Sequence, residues 1–274
     1  VQPLKAPLGI FDSGVGGLSV LRAVRSELPV EDLLYLADQG HVPYGARPLE
    51  EVRAFSEGIT RYLLDRGAKL IVVACNTASA AALHHLRRTF PGTPFVGMEP
   101  AVKPAAEQTR TGVVGVLATP ATFQGALYAS VIERFANGVT VLQDTCPGLV
   151  MEIERGELVG AGVRRILEQA LQPMLARGID VIVLGCTHYP FVIPVIEEIA
   201  GPGVRVIDPA PAVARQVRRV LEERGLVKPA GLQGDTRYLT TGDPSSLEAV
   251  LDDLSGEKGP IGRLTWKGMK LFEG

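Results

Sequence analysis

Leu64-Asp-Arg-Gly-Ala-Lys-Leu-Ile-Val-Val-Ala-Cys75 and Leu175-Ala-Arg-Gly-Ile-Asp-Val-Ile-Val-Leu-Gly-Cys186 are two nearly matching stretches of one chain. Leu, Arg, Gly, Ile, Val and the closing Cys recur in register. Each stretch reads as a helix end with an Arg-Gly stop, then a buried strand, then a thiol just past the strand. A second echo follows each: Val96-Gly-Met-Glu99-Pro100-Ala101 and Val206-Ile-Asp208-Pro209-Ala210 both give a strand, an acid and a Pro-Ala that leads into a helix. Such a duplication can present two like groups to one site from opposite sides. Chemistry that is symmetric between the two faces of a carbon needs that arrangement.

Outward from these stretches, short apolar runs alternate with helical patterns. Strands are expected at Leu8–Phe11, Asp32–Ala37, Leu70–Ala74, Pro94–Gly97, Gly112–Leu117, Val139–Gln143, Asp180–Leu184 and Arg205–Ile207. Helices are expected at Gly17–Ser26, Pro48–Asp65, Ala78–Thr89, Pro120–Phe135, Glu157–Ala176, Phe191–Ala200 and Pro211–Arg224. Val-, Ile- and Leu-rich strands that alternate with helices imply parallel sheets covered on both faces. The predicted architecture is α/β: two pseudo-symmetric, doubly wound parallel-sheet domains with the active site in the cleft between them. Residues 1–98 plus 209–274 form the first domain and residues 99–208 the second. The tail after Asp208 is expected to return to the first half, because its helix and a strand near Tyr238–Thr241 need a partner. Gly225–Gly234 is the best candidate for a surface loop.

With 46% hydrophobic residues in 274 and a net charge of −2, a packed core is affordable and no polyanion partner is implied. Three cysteines, two of them at strand ends, argue against a disulfide framework and for a reducing cytoplasm. No membrane-spanning stretch and no signal segment are read.

In open parallel sheets ligands bind beyond the carboxyl ends of the strands. That rule places Asp12-Ser13, Asp38, Cys75-Asn76-Thr77, Thr119 and Cys186-Thr187-His188 at the working edges. In Asp12-Ser-Gly14-Val-Gly16-Gly17, a glycine turn opens a helix, and its amides are potential anion donors. A dinucleotide-binding turn is a rival reading, although Ser19 occupies the third glycine position; so is a tight turn with no ligand. A lone strand-end Cys is usually a small buried hydrophobe. Two at duplicated positions point to chemistry, with Asp12 available to Cys75 and His188 to Cys186. A zinc site on Cys75, Cys186 and His188, or a Cys–His acyl-transfer pair, is open on the residues alone. Cys146, outside the duplication, reads as core, and His84 and His85 as surface.

Together, Phe11-Asp-Ser-Gly-Val-Gly-Gly17, Asp38…Pro43-Tyr-Gly45, Ala74-Cys-Asn-Thr-Ala78, Glu99-Pro-Ala101, Gly115-Val-Leu-Ala-Thr119 and Gly185-Cys-Thr-His-Tyr-Pro190 closely resemble the glutamate racemases of the aspartate/glutamate racemase family. The resemblance runs from about Gly9 to Asp208, with Thr240-Thr-Gly-Asp243 also similar. It implies interconversion of L- and D-glutamate with no cofactor and no metal, supplying D-glutamate for peptidoglycan in a bacterial cytoplasm. It further implies a homodimer with glutamate as its small-molecule substrate and no nucleic-acid or membrane partner. Carried over by position, Cys75 and Cys186 match the two acid/base thiols, and Asp12 and His188 their assistants. Ser13, Pro43, Tyr44, Gly45, Asn76, Thr77, Thr119 and Thr187 match substrate-binding positions, and Glu154 matches a further site glutamate. One departure lies nearby: Met151 stands where a proline is common, and Glu152 where an apolar residue is usual. The choice between Glu152 and Glu154 therefore stays open. A related racemase of aspartate or another amino acid is the alternative. From another class, so is a non-catalytic binder of a small dicarboxylate or nucleotide.

Overall fold

The computed structural model describes residues 4–136, 138–231 and 233–274. Residues 1–3 of the predicted first domain and Leu232 of the predicted surface loop lie outside the described residues. The first half runs β1 (Leu8–Asp12), α1 (Leu18–Glu27), β2 (Leu33–Ala37), α2 (Leu49–Asp65), β3 (Leu70–Val73), α3 (Asn76–Thr89) and β4 (Phe95–Gly97). The second runs α4 (Val102–Gln108), β5 (Val113–Ala118), α5 (Pro120–Gln124), α6 (Ala126–Phe135), β6 (Thr140–Asp144), α7 (Leu149–Glu154), α8 (Ala161–Leu175), β7 (Val181–Gly185), α9 (Ile193–Ala200) and β8 (Arg205–Ile207). The tail adds α10 (Ala210–Glu223), β9 (Thr236–Thr240), α11 (Pro244–Ser255), β10 (Ile261–Lys267) and β11 (Lys270–Glu273).

These strands form two sheets, ordered β11-β10-β9-β2-β1-β3-β4 and β6-β5-β7-β8. Every pairing is parallel except the terminal β10–β11 hairpin. The order β2-β1-β3-β4 of the first sheet is repeated by β6-β5-β7-β8 of the second. The duplication read in the sequence is thus a duplication of topology. Cys75 and Cys186 each follow the third strand of their repeat, which lies beside its first. The tail returns to the first sheet, where β9 pairs with β2.

Strand alternation sends successive side chains to opposite faces. Ile10, Tyr35 and Val72 join one core, and Phe11, Leu36 and Val73 the other. The second sheet divides likewise: Leu117, Ile182 and Leu184 enter the same core as Ile10, whereas Val116, Val181 and Val183 pack beneath α4 and α6. One apolar cluster therefore continues from the first sheet to the second and fixes their relative placement.

The expected helix over 120–135 is two helices. Gly125 between them is extended (φ −71°, ψ 138°), and a Cβ there would lie 2.7 Å from the Ala80 Cβ on α3. The break lets the second half approach the first. The expected helix over 157–176 begins only at Ala161, after Gly156 takes φ +81°. Among the described residues no helix is long and apolar enough to cross a membrane.

At the sheet edge away from the cysteines, Lys69 and Glu31 form a fully buried ion pair, Nζ to Oε2 2.6 Å. The Lys69 ammonium also donates to the Leu4 carbonyl (2.7 Å), and the Lys228 amide donates to Glu31 Oε1 (2.7 Å). A buried charge stripped of its partner is costly. Lys69→Met should therefore lower unfolding free energy in urea by about 3–5 kcal/mol, and adding Glu31→Leu should recover most of that loss.

Candidate active site

Both sheets aim the carboxyl ends of their strands at one narrow cleft. Ser13 follows β1, Cys75-Asn76-Thr77 follows β3, Thr119 follows β5 and Cys186-Thr187-His188 follows β7; all line it. Pro43, Tyr44 and Gly45 complete the wall from the loop after β2, and Val150 from α7. The cleft is tight: of about 270 Å³ of space between its atoms, part is open to solvent and little is wide enough for a water molecule. All the substrate-binding positions named from the sequence reach it or its immediate wall.

The glycine turn holds anions, but they are the protein's own. Asp12 Oδ1 accepts from the Ser13 amide (2.7 Å) and Oδ2 from the Gly17 amide (2.5 Å). The Val15 amide donates to Glu154 Oε1 (2.8 Å) from the other half. Three amides of the turn, those of Ser13, Val15 and Gly17, are thus engaged by Asp12 and Glu154. A Cβ on Gly14 would fall 1.9 Å from Glu154 Oε1, and one on Gly16 would fall 2.3 Å from His188 Nδ1. Side chains of the second half occupy the space those glycines leave.

The two thiols sit in different company. Cys75 caps the N-terminus of α3, with its Sγ accepting from the Ala78 amide at 3.5 Å. Burial pushes its thiol well above the usual range; the neighbouring Asp12 carboxylate adds to the effect, and the Ala78 amide opposes it. Asp12 is also pushed up by burial, against the opposing pull of His188 and Cys75. Its Oδ2 also accepts from the Thr187 hydroxyl at 3.3 Å.

Cys186 Sγ lies 3.7 Å from His188 Nδ1, and His188 Nε2 lies 2.6 Å from Glu154 Oε1. Burial alone would lower the imidazole's proton affinity, but bonds to Cys186 and Glu154 outweigh it and raise His188 well above its ordinary value. Burial alone would raise Glu154; its bond to His188, the imidazolium charge and the Gln39 and Val15 donors hold it below the carboxylate range instead. Glu154, and not Glu152, is the buried acid that reaches the cleft; Glu152 faces Arg155 at 3.4 Å.

Asn76 is buried on the cleft wall, and neither its amide nitrogen nor its amide oxygen has a partner. An unsatisfied buried amide costs free energy that a ligand can recover. Thr77, Thr119 and Thr122 share hydroxyl contacts of 2.8, 2.9 and 3.3 Å across the two halves. A Cβ on Gly45 would lie 2.5 Å from the Thr119 Cβ, so the two walls touch at the mouth. Tyr44 is held by its hydroxyl, which donates to Asp38 Oδ2 (2.6 Å). Asp38 also accepts from Thr241 (2.6 Å) and Trp266 (2.8 Å), tying the tail to the cleft wall. Among the described residues no three His, Cys, Asp or Glu side chains converge as metal ligands would. Cys146 is buried in the core, and His85 pairs with Glu57 away from the cleft.

Sequence reasoning missed Gln39, whose amide donates to Glu154 Oε2 (3.1 Å), and Val150. Gln39 stands two residues past the end of β2, beside the Asp38 that the strand-end rule found.

Residues 18–217 match the family described as Asp/Glu/hydantoin racemase. A glutamate racemase of Roseiflexus sp. (strain RS-1) is 55% identical over 249 residues, 90% of this chain and 92% of that protein. A crystal structure of a glutamate racemase isoform from Bacillus anthracis superposes with a TM-score of 0.84 at 32% identity, covering 94% of this chain and 97% of that one. A glutamate racemase from Francisella tularensis, solved in complex with D-glutamate, gives 0.83 at 28% identity, covering 97% and 98%.

The Glu154–His188 pair makes stability depend on pH. The raised imidazole contributes fully below the unfolded histidine value of about 6.5 and loses its contribution as pH climbs through the folded value. The depressed carboxylate contributes fully above the unfolded value of about 4.3 and loses its contribution as pH falls through the folded one. The stability gap between the unmodified protein and His188→Gln in urea melts should therefore be widest between about pH 4.3 and 6.5 and narrow on both sides. A gap independent of pH would mean that the imidazole is neutral in the fold.

Proposed function

The chain belongs to the Asp/Glu/hydantoin racemase family, and we propose that it interconverts L- and D-glutamate through two opposed thiols, Cys75 and Cys186. That it is an isomerase acting on glutamate rests on the family match and on relatives about half identical over most of the chain. The two-thiol mechanism rests on one observation: both sulfurs line the same cleft, one from each repeat, beside an unpartnered Asn76 amide.

The Cα proton of an amino acid is a weak acid. In this reading no cofactor spreads the resulting charge, so catalysis rests on positioning and preorganised donors. The Cys186 thiolate takes the Cα proton of L-glutamate, and the Cys75 thiol delivers a proton to the opposite face. With D-glutamate the roles reverse. His188, held charged by Glu154, stabilises a thiolate at Cys186, and Asp12 shuttles the proton of Cys75. Asn76 supplies a donor for a substrate carboxylate and an acceptor for the ammonium group. Ser13, Thr77, Thr119 and Thr187 add hydroxyls that both give and accept. Pro43, Tyr44 and Gly45 shape the wall. The unit carrying Asp12 and Cys75 is 1–98 with 209–274, and the unit carrying Cys186 and His188 is 99–208, as the sheet memberships support. D-glutamate made this way feeds peptidoglycan synthesis in a bacterial cytoplasm, by a homodimer that needs no nucleic-acid or membrane partner.

In deuterated water without added cofactor, L-glutamate should gain deuterium at Cα as its optical rotation decays to zero. Cys75→Ser and Cys186→Ser should each cut racemisation by about a thousandfold. Each should still eliminate chloride from one enantiomer of 3-chloroglutamate, a reaction that needs a single base. Racemisation at the unmodified rate by either variant would sink the scheme. Asn76→Ala should lower kcat/KM for glutamate by about tenfold or more, with the fold unchanged by circular dichroism.

A further inference from the structure

Gln39 does not line the cleft, yet its side chain lies at the back of the Cys186 relay. Glu154 Oε1 is already engaged by the Val15 amide at 2.8 Å and His188 Nε2 at 2.6 Å. Its other oxygen, Oε2, accepts from Gln39 Nε2 at 3.1 Å. A glutamine amide can present either end, and its neighbours decide which. Here the Thr240 hydroxyl donates to Gln39 Oε1 at 2.8 Å, and the Gly242 amide donates to the Thr240 oxygen at 3.0 Å. A charged Glu154 carboxylate can only accept, so the Gln39 amide nitrogen faces it and the amide oxygen is left to accept from Thr240. Thr240 is fully buried at the end of β9, so the chain of donors is anchored in the sheet rather than in a mobile loop.

We propose that Gln39, oriented by Thr240, is a positioning residue for the Cys186 half-reaction: it fixes the Glu154 carboxylate so that Oε1 meets His188. This inference rests on the two-thiol reading above. The direction of hydrogen bonding supports the role. A donor to Oε2 favours the charged carboxylate, and a charged Glu154 keeps the proton on His188 next to Cys186. Among the described residues no such side-chain amide serves Cys75, whose neighbour Asp12 is held by the Ser13 and Gly17 amides and Thr187. The β9 strand of the tail thus reaches one thiol and not the other.

The two enantiomers of glutamate have equal free energy, so kcat/KM for racemisation must be equal in both directions whatever is mutated. A one-sided role has to be read in a one-base reaction. With 3-chloroglutamate, a thiolate takes the Cα proton, the Cα electron pair forms a Cα=Cβ double bond, and chloride leaves with the electrons of the C–Cl bond. Gln39→Met keeps the length and removes the donor. It should slow elimination from the enantiomer served by Cys186 by about five- to tenfold and change the other by less than twofold. The acid limb of the slowed reaction should move to higher pH, because Glu154 loses a donor that favours its charge. Thr240→Val, which leaves Gln39 in place but removes the donor that anchors its amide oxygen, should give a loss on the same side. Assignment of enantiomer to thiol comes from the Cys75→Ser and Cys186→Ser proteins. Equal losses for both enantiomers, or no loss for either, would overturn the proposal while leaving the two-thiol reading intact. Failure of the unmodified protein to eliminate from either enantiomer would remove the reading and this inference together.

Discussion

A single carboxylate reaching from one half of the molecule into the other holds the site together. Glu154 leaves α7 in the second half and seats on the glycine turn of the first, against the Val15 amide and in the space that Gly14 leaves. From there it holds His188 beside Cys186. The contact joins three requirements that would otherwise be separate. The turn must carry glycine where the carboxylate approaches. The acid must remain charged although buried. The imidazole must stay protonated next to a sulfur. Coulomb attraction and the amide donors outweigh the desolvation that burial imposes on each group.

The duplicated topology supplies opposed thiols, but it does not make their surroundings equal. Each cysteine follows the third strand of a 2-1-3-4 repeat. After β3 the chain enters a long helix at once, so Cys75 becomes an N-cap and its nearest acid is Asp12. After β7 the chain makes a short turn before α9, which brings His188 back towards Cys186. The repeat sets where the sulfurs are, and the few residues that follow each set what assists them. The two thiols that the repeat places on one cleft therefore lie in chemically different surroundings.

The repeats are held in place by one continuous apolar core, by the Gly125 break that lets α5 and α6 approach α3, and by the Thr77–Thr119–Thr122 hydroxyl contacts. The tail adds a further restraint. Through Asp38, Thr241 and Trp266 fix the Tyr44 wall, and through Gln39, Thr240 reaches Glu154. A stretch that looks in sequence like a terminal appendage is built into the second layer of the cleft.

The alternation of strands and helices along the chain, with the strand-and-stop pattern before Cys75 and Cys186, was enough to predict the α/β sheets, the strand ends that line the cleft, and the return of the tail. Each of these depends on local periodicity and on the rule that parallel strands present ligands at their carboxyl ends. What the sequence could not supply was the fate of individual hydrogen-bonding groups. The amides of the glycine turn read as free anion donors, and only the fold showed those of Ser13, Val15 and Gly17 occupied by Asp12 and Glu154. Glu152 and Glu154 stand two apart at the end of one short helix, and only its placement turned one inward and the other towards Arg155. Gln39 carries no signature beyond its place near a strand end, because its contact with Glu154 exists only once β2, α7 and β9 converge. Periodicity and composition are properties of neighbours along the chain; which donor meets which acceptor across two sheets is a property of packing, and packing alone decided it.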